Sequence, residues 1–301
     1  MRLAYHTLDV FTGTRFGGNP LAVVLDADGL DTAQMQAVAR EFNISETVFV
    51  LKPANPAHSA KIRIFTPRAE LPFAGHPTIG TAALLAELRA SSMANMRQAI
   101  IALEETLGTV RVGVRMPAGE ATFAEFDAPK LPQDLGGVPA TEEIAGAIGL
   151  IPSEIGFENH KPTRFSAGLP YLMVPIRDIE ALGRARADMG RWRRALGADC
   201  AVFVYCRETV HTNHHFHARM FAPDLGVAED PATGSAAAAF AGVIVRFDDP
   251  KVGEHRCVIE QGYEMGRQSH ISVTLIVGVG GLETVRIGGH SVRVMDGTIE
   301  V

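Results

Sequence analysis

Apolar and polar residues alternate along the first stretch of the chain, as is typical of β-strands. LAYHTLDVF, residues 3–11, has this alternation, and the turn residues of FGGNP separate it from the apolar run LAVVL. Two such segments joined by a turn predict an opening hairpin. The continuous apolar run VFVL, which follows the loop-like NISET, predicts a buried strand, and KIRIF predicts another strand that ends before Pro67.

A period of three to four residues replaces the alternation in DTAQMQAVAREF, residues 31–42. Asp31 stands where a helix N-cap is expected, and Met35, Val38, Ala39 and Phe42 fall on one face. The segment therefore predicts an amphipathic helix.

Two further segments have the form of a helix start. GHPTIGTAALL begins at Gly75 and DPATGSAAAAF begins at Asp230, and each places a proline ahead of Gly, then Thr or Ser, and an apolar run. Because proline is favoured at the first helical position, we predict that Pro77 and Pro231 each open a helix.

The second half of the chain repeats the order of the first. AGLPYLMVPI parallels GGNPLAVVL, a helix-like segment follows at residues 179–196, and then DCAVFVY parallels SETVFVL, FHARMFAP parallels AKIRIFTP, and DPATGSA parallels GHPTIGT. Matched segments lie about 155 residues apart, which predicts an internal duplication. We expect an α+β protein of two pseudo-symmetric domains, residues 1–117 and 118–287. The tail, residues 288–301, is predicted to be a strand hairpin that returns to the first domain.

Composition narrows the function classes. The chain has 301 residues, 47% of them hydrophobic, and a net charge of −6 that is spread without blocks of like charge, so a nucleic-acid surface is not expected. Three cysteines without a CxxC pair predict a reduced, cytoplasmic protein. We find neither a targeting signal nor an apolar run long enough for a membrane helix, so no membrane role is expected.

The two helix starts carry the candidate chemistry. Free N–H groups and the helix dipole favour an anion at a helix start, so each is a candidate cradle for a carboxylate. His76 and Asp230 would flank a small acid held by both. The alternative is structural: an Asp before such a start is a good N-cap, although His is a poor one.

Glu46 is a candidate proton carrier because it lies between loop residues and the buried run VFV. Partial burial there would raise its pKa, as a proton shuttle requires. The alternative is a solvent-exposed glutamate at a strand start. The aligned residue of the other half is Cys200, so the repeat itself does not require a carboxylate here.

Other motifs give weaker signals. The histidines of HTNHHFHAR fall on alternate faces of a predicted strand, and no acidic or Cys partner has fitting spacing, so no metal site is expected. The glycines of GVGG are followed by another strand rather than a helix, which argues against a dinucleotide turn. We therefore predict no cofactor.

The combination of GNP, SET, GHPTIGTA and DPATGSA resembles the PhzF family of phenazine-biosynthesis isomerases. The resemblance implies a diaminopimelate epimerase-like fold, in which each half wraps a mixed barrel-like sheet around a central helix, and a homodimer. It also implies a cofactor-independent isomerase that moves a proton on a small carboxylated substrate. The catalytic residues would be Glu46, His76 and Asp230, and the substrate-binding residues would be Asn19, Ser45, Gly75, Thr233, Gly234 and Ser235.

Two other functions stay open from the sequence. One is a racemase or epimerase of a small amino or hydroxy acid that uses Glu46 with His76 or Asp230 as opposed bases. Diaminopimelate epimerase, whose fold the resemblance implies, carries a cysteine at each of the two helix starts, and this chain has neither cysteine. The other is a non-catalytic protein that binds small acids on the same scaffold.

Overall fold

A computed structural model of the chain describes residues 1–91 and 96–301. They form two compact units: Met1–Asp127 together with Gly288–Val301, and Ala128–Ile287. The sequence placed the boundary near residue 117. The first unit extends further because the strand Thr122–Asp127 pairs with the strand before it, Gly108–Arg115.

The first unit contains its elements in the order β1 (Arg2–Val10), β2 (Asn19–Val24), α1 (Thr32–Phe42), β3 (Glu46–Leu51), β4 (Ala60–Phe65), β5 (Glu70–Leu71), α2 (Gly75–Ala90), β6 (Gln98–Glu105), β7 (Gly108–Arg115) and β8 (Thr122–Asp127). Strands β1 and β2 form the predicted hairpin. Strand β3 lies parallel to β2 and antiparallel to β4. Strand β6 lies parallel to β4 and antiparallel to β7, so the sheet is mixed.

The second unit contains β9 (Gln133–Asp134), α3 (Thr141–Ala147), β10 (Thr163–Ser166), β11 (Pro170–Pro175), α4 (Ile179–Arg184), α5 (Met189–Ala195), β12 (Val202–Cys206), β13 (Phe216–Ala222), β14 (Val227–Asp230), α6 (Gly234–Asp248), β15 (Gly253–Gln261), β16 (Ser269–Gly278) and the start of β17 (Gly281–Glu300). Its pairing repeats that of the first unit. Strand β12 lies parallel to β11 and antiparallel to β13, and β15 lies parallel to β13 and antiparallel to β16. The predicted duplication and the α+β class are confirmed.

Each unit has a helix at its centre. Every residue of α2 from Gly75 to Leu84 is buried, and the helix contacts β1, β2, β3, β6, β7 and β8. Helix α6 is similarly buried and contacts β9, β10, β11 and β16. A helix that is apolar on all sides is stable only when protein surrounds it, which explains the alanine-rich runs.

The amphipathic helix α1 forms as predicted. The Asp31 carboxylate accepts a hydrogen bond from the Gln34 N–H, and the Gln34 side chain accepts one from the Asp31 N–H, which completes a capping box. Met35, Val38 and Ala39 are buried against a core that includes Phe49.

The two prolines do not open their helices, so that prediction is wrong. Helix α2 begins at Gly75, which makes Pro77 its third residue, and α6 begins at Gly234, three residues after Pro231. Any residue of the first turn has an N–H without a helical acceptor, so Pro77 costs α2 no hydrogen bond. Pro231 lies outside α6 because β14 continues to Asp230 and the chain must turn before the helix begins.

Two other predicted elements differ. The helix-like segment 179–196 is divided into α4 and α5, because the Arg219 guanidinium donates to the carbonyls of Leu182, Gly183 and Ala185 at the end of α4. The predicted tail hairpin is one strand, β17. Its second part pairs antiparallel with β1, from Arg2 opposite Glu300 to Val10 opposite Ser291.

Within residues 1–91 and 96–301, no helix combines the length and the apolar character that crossing a membrane requires.

Candidate functional site

Glu46 and His76 lie side by side in the first unit. Glu46 is the first residue of β3, and His76 is the second residue of α2. Their side chains approach to 3.1 Å, between Oε2 of Glu46 and Nε2 of His76, and they are 16% and 7% exposed. The structure therefore places a carboxylate and an imidazole at the buried start of the central helix.

Burial controls the protonation of this imidazole. Desolvation lowers the pKa of His76 to about 3, and a hydrogen bond to the backbone carbonyl of Pro20 offsets the shift only in part. His76 is consequently neutral at physiological pH. Because the imidazole is neutral, its 3.1 Å contact with Glu46 is not an ion pair.

Three further predicted residues lie in the same part of the first unit. Asn19 begins β2 and is fully buried opposite Val10, Ser45 directly precedes β3, and Gly75 begins α2. The parallel pairing of β2 with β3 brings the starts of both strands to one edge of the sheet. The carboxylate, the imidazole and these small polar groups thus share one neighbourhood.

Glu105 is a buried carboxyl group that the sequence analysis missed. Its Oε1 lies 2.7 Å from the hydroxyl of Thr78, which also hydrogen-bonds the carbonyl of Ala74 at 2.8 Å. Burial raises the pKa of Glu105 to about 8. A protonated Glu105 can donate to Thr78 while Thr78 donates to Ala74, so the neutral acid satisfies both contacts.

In the second unit, Asp230 ends β14 and Thr233 is the N-cap residue of α6. The Thr233 hydroxyl donates to Oδ2 of Asp230 over 2.5 Å. Gly234 is buried as the first residue of the helix, and the hydroxyl of Ser235 is 2.7 Å from that of Tyr171. Tyr171 had no signal in the sequence.

The structural alternative for Asp230 fails. An N-cap residue directly precedes its helix, whereas three residues separate Asp230 from Gly234. Its carboxylate is oriented by Thr233, so the residue is available for a role other than capping α6. His76 does not cap a helix either, because it lies inside α2.

The histidine-rich segment has acidic partners, contrary to the expectation. Both oxygens of the buried Glu260 are engaged, by Nδ1 of His214 at 2.7 Å and by Nδ1 of His217 at 2.8 Å, and Nε2 of His217 is 3.0 Å from Glu264. The sequence analysis missed these contacts because β13 and β15 are neighbours in the sheet but far apart in the chain.

These contacts also determine the charge states of His217 and Glu260. Burial alone would lower the pKa of His217, but its hydrogen bonds to Glu260 and Glu264 raise it to about 9. Burial would raise the pKa of Glu260, yet hydrogen bonds from His217 and from backbone N–H groups lower it to about 2. Across the part of the chain that the structure describes, no three His, Cys, Asp or Glu side chains are arranged to hold a metal ion.

Comparison with known proteins agrees with this architecture. Residues 8–297 match the family model described as phenazine biosynthesis-like protein, PhzC-PhzF. An uncharacterized isomerase of Mesorhizobium japonicum is 53% identical over 300 residues, 98% of each chain. The trans-2,3-dihydro-3-hydroxyanthranilate isomerase of Pseudomonas chlororaphis is 35% identical over 302 residues, again 98% of each.

Among solved structures, a PhzF-family phenazine biosynthesis protein of Bacillus anthracis superposes with a TM-score of 0.89 at 25% identity, covering 100% of both chains. The family match, the isomerase relatives and the duplicated α+β fold agree with one another. The chain belongs to the PhzF family of isomerases and has its diaminopimelate epimerase-like fold.

Proposed function

We propose that this isomerase is cofactor-independent and moves a proton on a small carboxylated substrate, with Glu46 as the proton carrier. One observation carries the proposal: the Glu46 carboxylate lies 3.1 Å from an imidazole that burial keeps neutral. A positioned carboxylate within hydrogen-bond reach of a partner is the usual arrangement for general acid–base catalysis.

The neutral state of His76 determines how Glu46 and His76 can handle a proton together. A neutral imidazole offers one N–H and one lone pair, and a hydrogen bond to the Pro20 carbonyl occupies an N–H. Nε2 then presents its lone pair to Glu46, so a proton taken up by the carboxylate is held in a hydrogen bond rather than lost to water. Glu46 can remove a proton from carbon in one step and return it in the next.

Groups at and before the start of α6 are suited to substrate binding. Gly234 and Ser235 begin the 15-residue helix α6, where backbone N–H groups and the helix dipole favour a carboxylate. Asp230, whose carboxylate is held by Thr233, is suited to bind an amine or hydroxyl group of the substrate. These roles are distinct from proton transfer, which we assign to Glu46.

The substrate class is inferred from the relatives. The Pseudomonas chlororaphis relative is named for trans-2,3-dihydro-3-hydroxyanthranilate, a carboxylate with an amine, a hydroxyl and a ring C–H that can be ionised. We propose a substrate with the same set of groups: one carboxylate, one hydrogen-bonding substituent and an allylic or α C–H.

The racemase alternative has two forms, in which Glu46 is opposed either by His76 or by Asp230, and the geometry disfavours the first. Inversion requires bases on opposite faces of the reacting carbon, whereas Glu46 and His76 are adjacent in the same unit. Two side chains in contact leave no room for the reacting carbon between them, so we propose that they act from one side. The form that pairs Glu46 with Asp230 is tested by the stereochemistry of the product, since inversion at a stereocentre would favour it over double-bond migration.

The test is deuterium uptake from heavy water into a turned-over carboxylate, with trans-2,3-dihydro-3-hydroxyanthranilate as the first substrate. Glu46→Gln keeps the shape of the side chain but cannot accept the proton, so we expect exchange to fall by about 10²–10⁴-fold with little change in binding. Asp230→Asn and His76→Ala should weaken both binding and turnover. Exposed Glu41→Gln is the control and should behave as wild type.

The same assay can contradict the proposal. If Glu46→Gln exchanged as fast as wild type while Asp230→Asn alone was inactive, Asp230 would be the base and Glu46 a structural residue.

Independence from metals and cofactors is a separate prediction. Turnover should survive exhaustive chelation and need no added nucleotide, measured with the same deuterium assay. Loss of activity in chelator that one divalent ion restores would assign a metal role to this chain. The homodimer that the family resemblance implies and the cytoplasmic location that the cysteines predict also stay predictions, and sedimentation equilibrium tests the first of them.

A further inference from the structure

Gln261 is a fully buried side chain that directs three hydrogen bonds to one loop. It is the last residue of β15, and its amide contacts the segment between β14 and α6. Nε2 donates to the carbonyl of Asp230 at 2.7 Å and to the hydroxyl of Thr233 at 3.0 Å, and Oε1 accepts from the Thr233 N–H at 3.1 Å. The side-chain amide of Gln261 thus holds the backbone of the four residues from Asp230 to Thr233.

These bonds leave one orientation for the amide. The backbone N–H of Thr233 can only donate, so the atom facing it must be the oxygen. The NH₂ group then faces the two acceptors, the Asp230 carbonyl and the Thr233 hydroxyl. Reversing the amide would place two donors together at the Thr233 N–H and two acceptors together at the Asp230 carbonyl.

The orientation of the amide determines that of the Thr233 hydroxyl. Because this oxygen accepts from Gln261, its own proton is directed elsewhere, and Oδ2 of Asp230 lies 2.5 Å away. Gln261, Thr233 and Asp230 thus form a chain of hydrogen bonds with one direction. It ends on the carboxylate that the proposed function assigns to substrate binding.

The backbone around Gln261 is built for close approach to the loop. Gly262 has φ +77°, and a Cβ at this position would lie 2.6 Å from the carbonyl oxygen of Pro231 and 2.5 Å from that of Arg267. Only glycine fits such a position without displacing the loop. The opposite face of the strand is fixed by Glu260, which is held by His214 and His217.

The other side of the loop is also anchored. Glu229 precedes Asp230 and receives two hydrogen bonds from the Arg219 guanidinium, at 2.8 and 2.9 Å. Arg219 lies on β13 and Gln261 on β15, so two neighbouring strands of the sheet hold the Asp230 loop from its two ends.

We infer that Gln261 is a positioning residue of the isomerase, which holds the Asp230 carboxylate in its binding orientation through the hydroxyl of Thr233. The inference rests on the proposed function, because it assumes that Asp230 contacts the substrate. It adds a residue outside the predicted site and states the route by which that residue acts.

A double-mutant cycle tests the route. Gln261→Met has similar volume but no hydrogen-bonding amide, and we expect it to lower kcat/KM by about 10–100-fold. Thr233→Val should give a loss of similar size. If both act through Asp230, adding Gln261→Met to Thr233→Val or to Asp230→Asn should cause little further loss. Losses that multiply in both backgrounds would contradict the inference.

Amide exchange gives a readout that does not depend on turnover. In Gln261→Met, the Thr233 amide should exchange faster with heavy water, because its acceptor is gone. Gln261→Glu keeps that acceptor but loses both donors, so it should retain protection of the Thr233 amide while losing catalytic efficiency as Gln261→Met does. Thr274→Val, a buried hydroxyl lost from β16, controls for a general loss of stability and should leave both readouts near wild type.

The two readouts separate the two hypotheses. A wild-type protein that incorporates no deuterium at a carbon of the carboxylated substrate would contradict the proposed function, while faster exchange of the Thr233 amide in Gln261→Met would still show that Gln261 holds the loop. Unchanged amide exchange and unchanged kcat/KM in Gln261→Met would contradict the inference even with a fully active wild type.

Discussion

Burial, rather than a neighbouring charge, sets the protonation state of His76 in α2 and of Glu105, which contacts Thr78 of the same helix. Desolvation keeps His76 neutral by lowering its pKa to about 3 and keeps Glu105 mainly neutral at pH 7 by raising its pKa to about 8. A neutral group avoids most of the cost of burying an ion. The start of the helix therefore holds protons at fixed positions without carrying buried charge.

Glu105 makes stability depend on pH. Its pKa is about 8 in the folded state against an ordinary value of 4.5, so the folded protein binds more protons between these values. The free energy of unfolding should fall as pH rises through this range, with a limiting slope of about 1.4 kcal/mol per pH unit from this group. Glu105→Gln should remove the contribution of this group to the pH dependence of stability. The variant should be more stable than wild type at about pH 8.5, as measured by urea unfolding.

The adjacent residue provides a matched control. Hydrogen bonds from the backbone N–H groups of Asn55 and Ala54, and one from His58, lower the pKa of Glu104 to about 2. Its stabilising contribution is present above the ordinary pKa and is lost only in acid. Glu104→Gln should therefore destabilise at both pH 5 and pH 8.5. A Glu105→Gln variant that lost stability equally at both pH values would contradict the assigned protonation.

At the scale of elements, the sequence predicts those features that depend on residues close together in the chain. Asp31 and Gln34 are three residues apart, so the start of α1 follows from the capping box alone. The repeated blocks predict the duplication because each unit uses the same strand order. Prolines mislead at α2 and α6, since where a helix begins also depends on where the preceding strand ends.

Residues whose partners lie on other elements escape this kind of reasoning. Glu105 meets Thr78 across 27 residues, and Gln261 meets Thr233 across 28. His217 and Glu260 meet because β13 and β15 lie in parallel, a pairing that no local pattern states. Glu46 and His76 were named as candidates on their own motifs, but their contact depends on the packing of β3 against α2.

The pairing of β13 with β15 should also respond to pH. His217 has a pKa of about 9 in the folded state against an ordinary value of 6.5. Its contribution to the free energy of unfolding is therefore complete below pH 6.5 and is lost as the pH rises through 9. Removing one partner of a buried charged pair typically costs about 3–5 kcal/mol. We expect His217→Gln to lower the free energy of unfolding more at pH 6 than at pH 9.5. Urea unfolding measures this.

His255→Gln is the control for that experiment, since His255 lies on β15 but does not contact Glu260 or Glu264 in the described hydrogen bonds. It should cost little at either pH. An equal cost of His217→Gln at both pH values would mean that the buried imidazole is not charged.

At the scale of the whole molecule, β17 links the two units covalently, since its first residues belong to the second and its last to the first. Deleting residues 288–301 removes the strand opposite β1 and leaves the second unit intact. We expect hydrogen exchange to show lost protection across residues 1–127, with residues 128–287 still protected. Deleting residues 299–301 alone is the control, and unchanged protection of β1 in the longer deletion would contradict the prediction.

The position of β17 also bears on how the protein is made. A ribosome delivers residues 1–127 first, yet residues 288–301, which complete their sheet, emerge only after all of residues 128–287. Until then β1 has one unpaired edge, and an unpaired edge can pair with another chain. The unit that is synthesised second can therefore complete its sheet first, while the nascent N-terminal unit exposes the edge of β1 until residues 288–301 emerge.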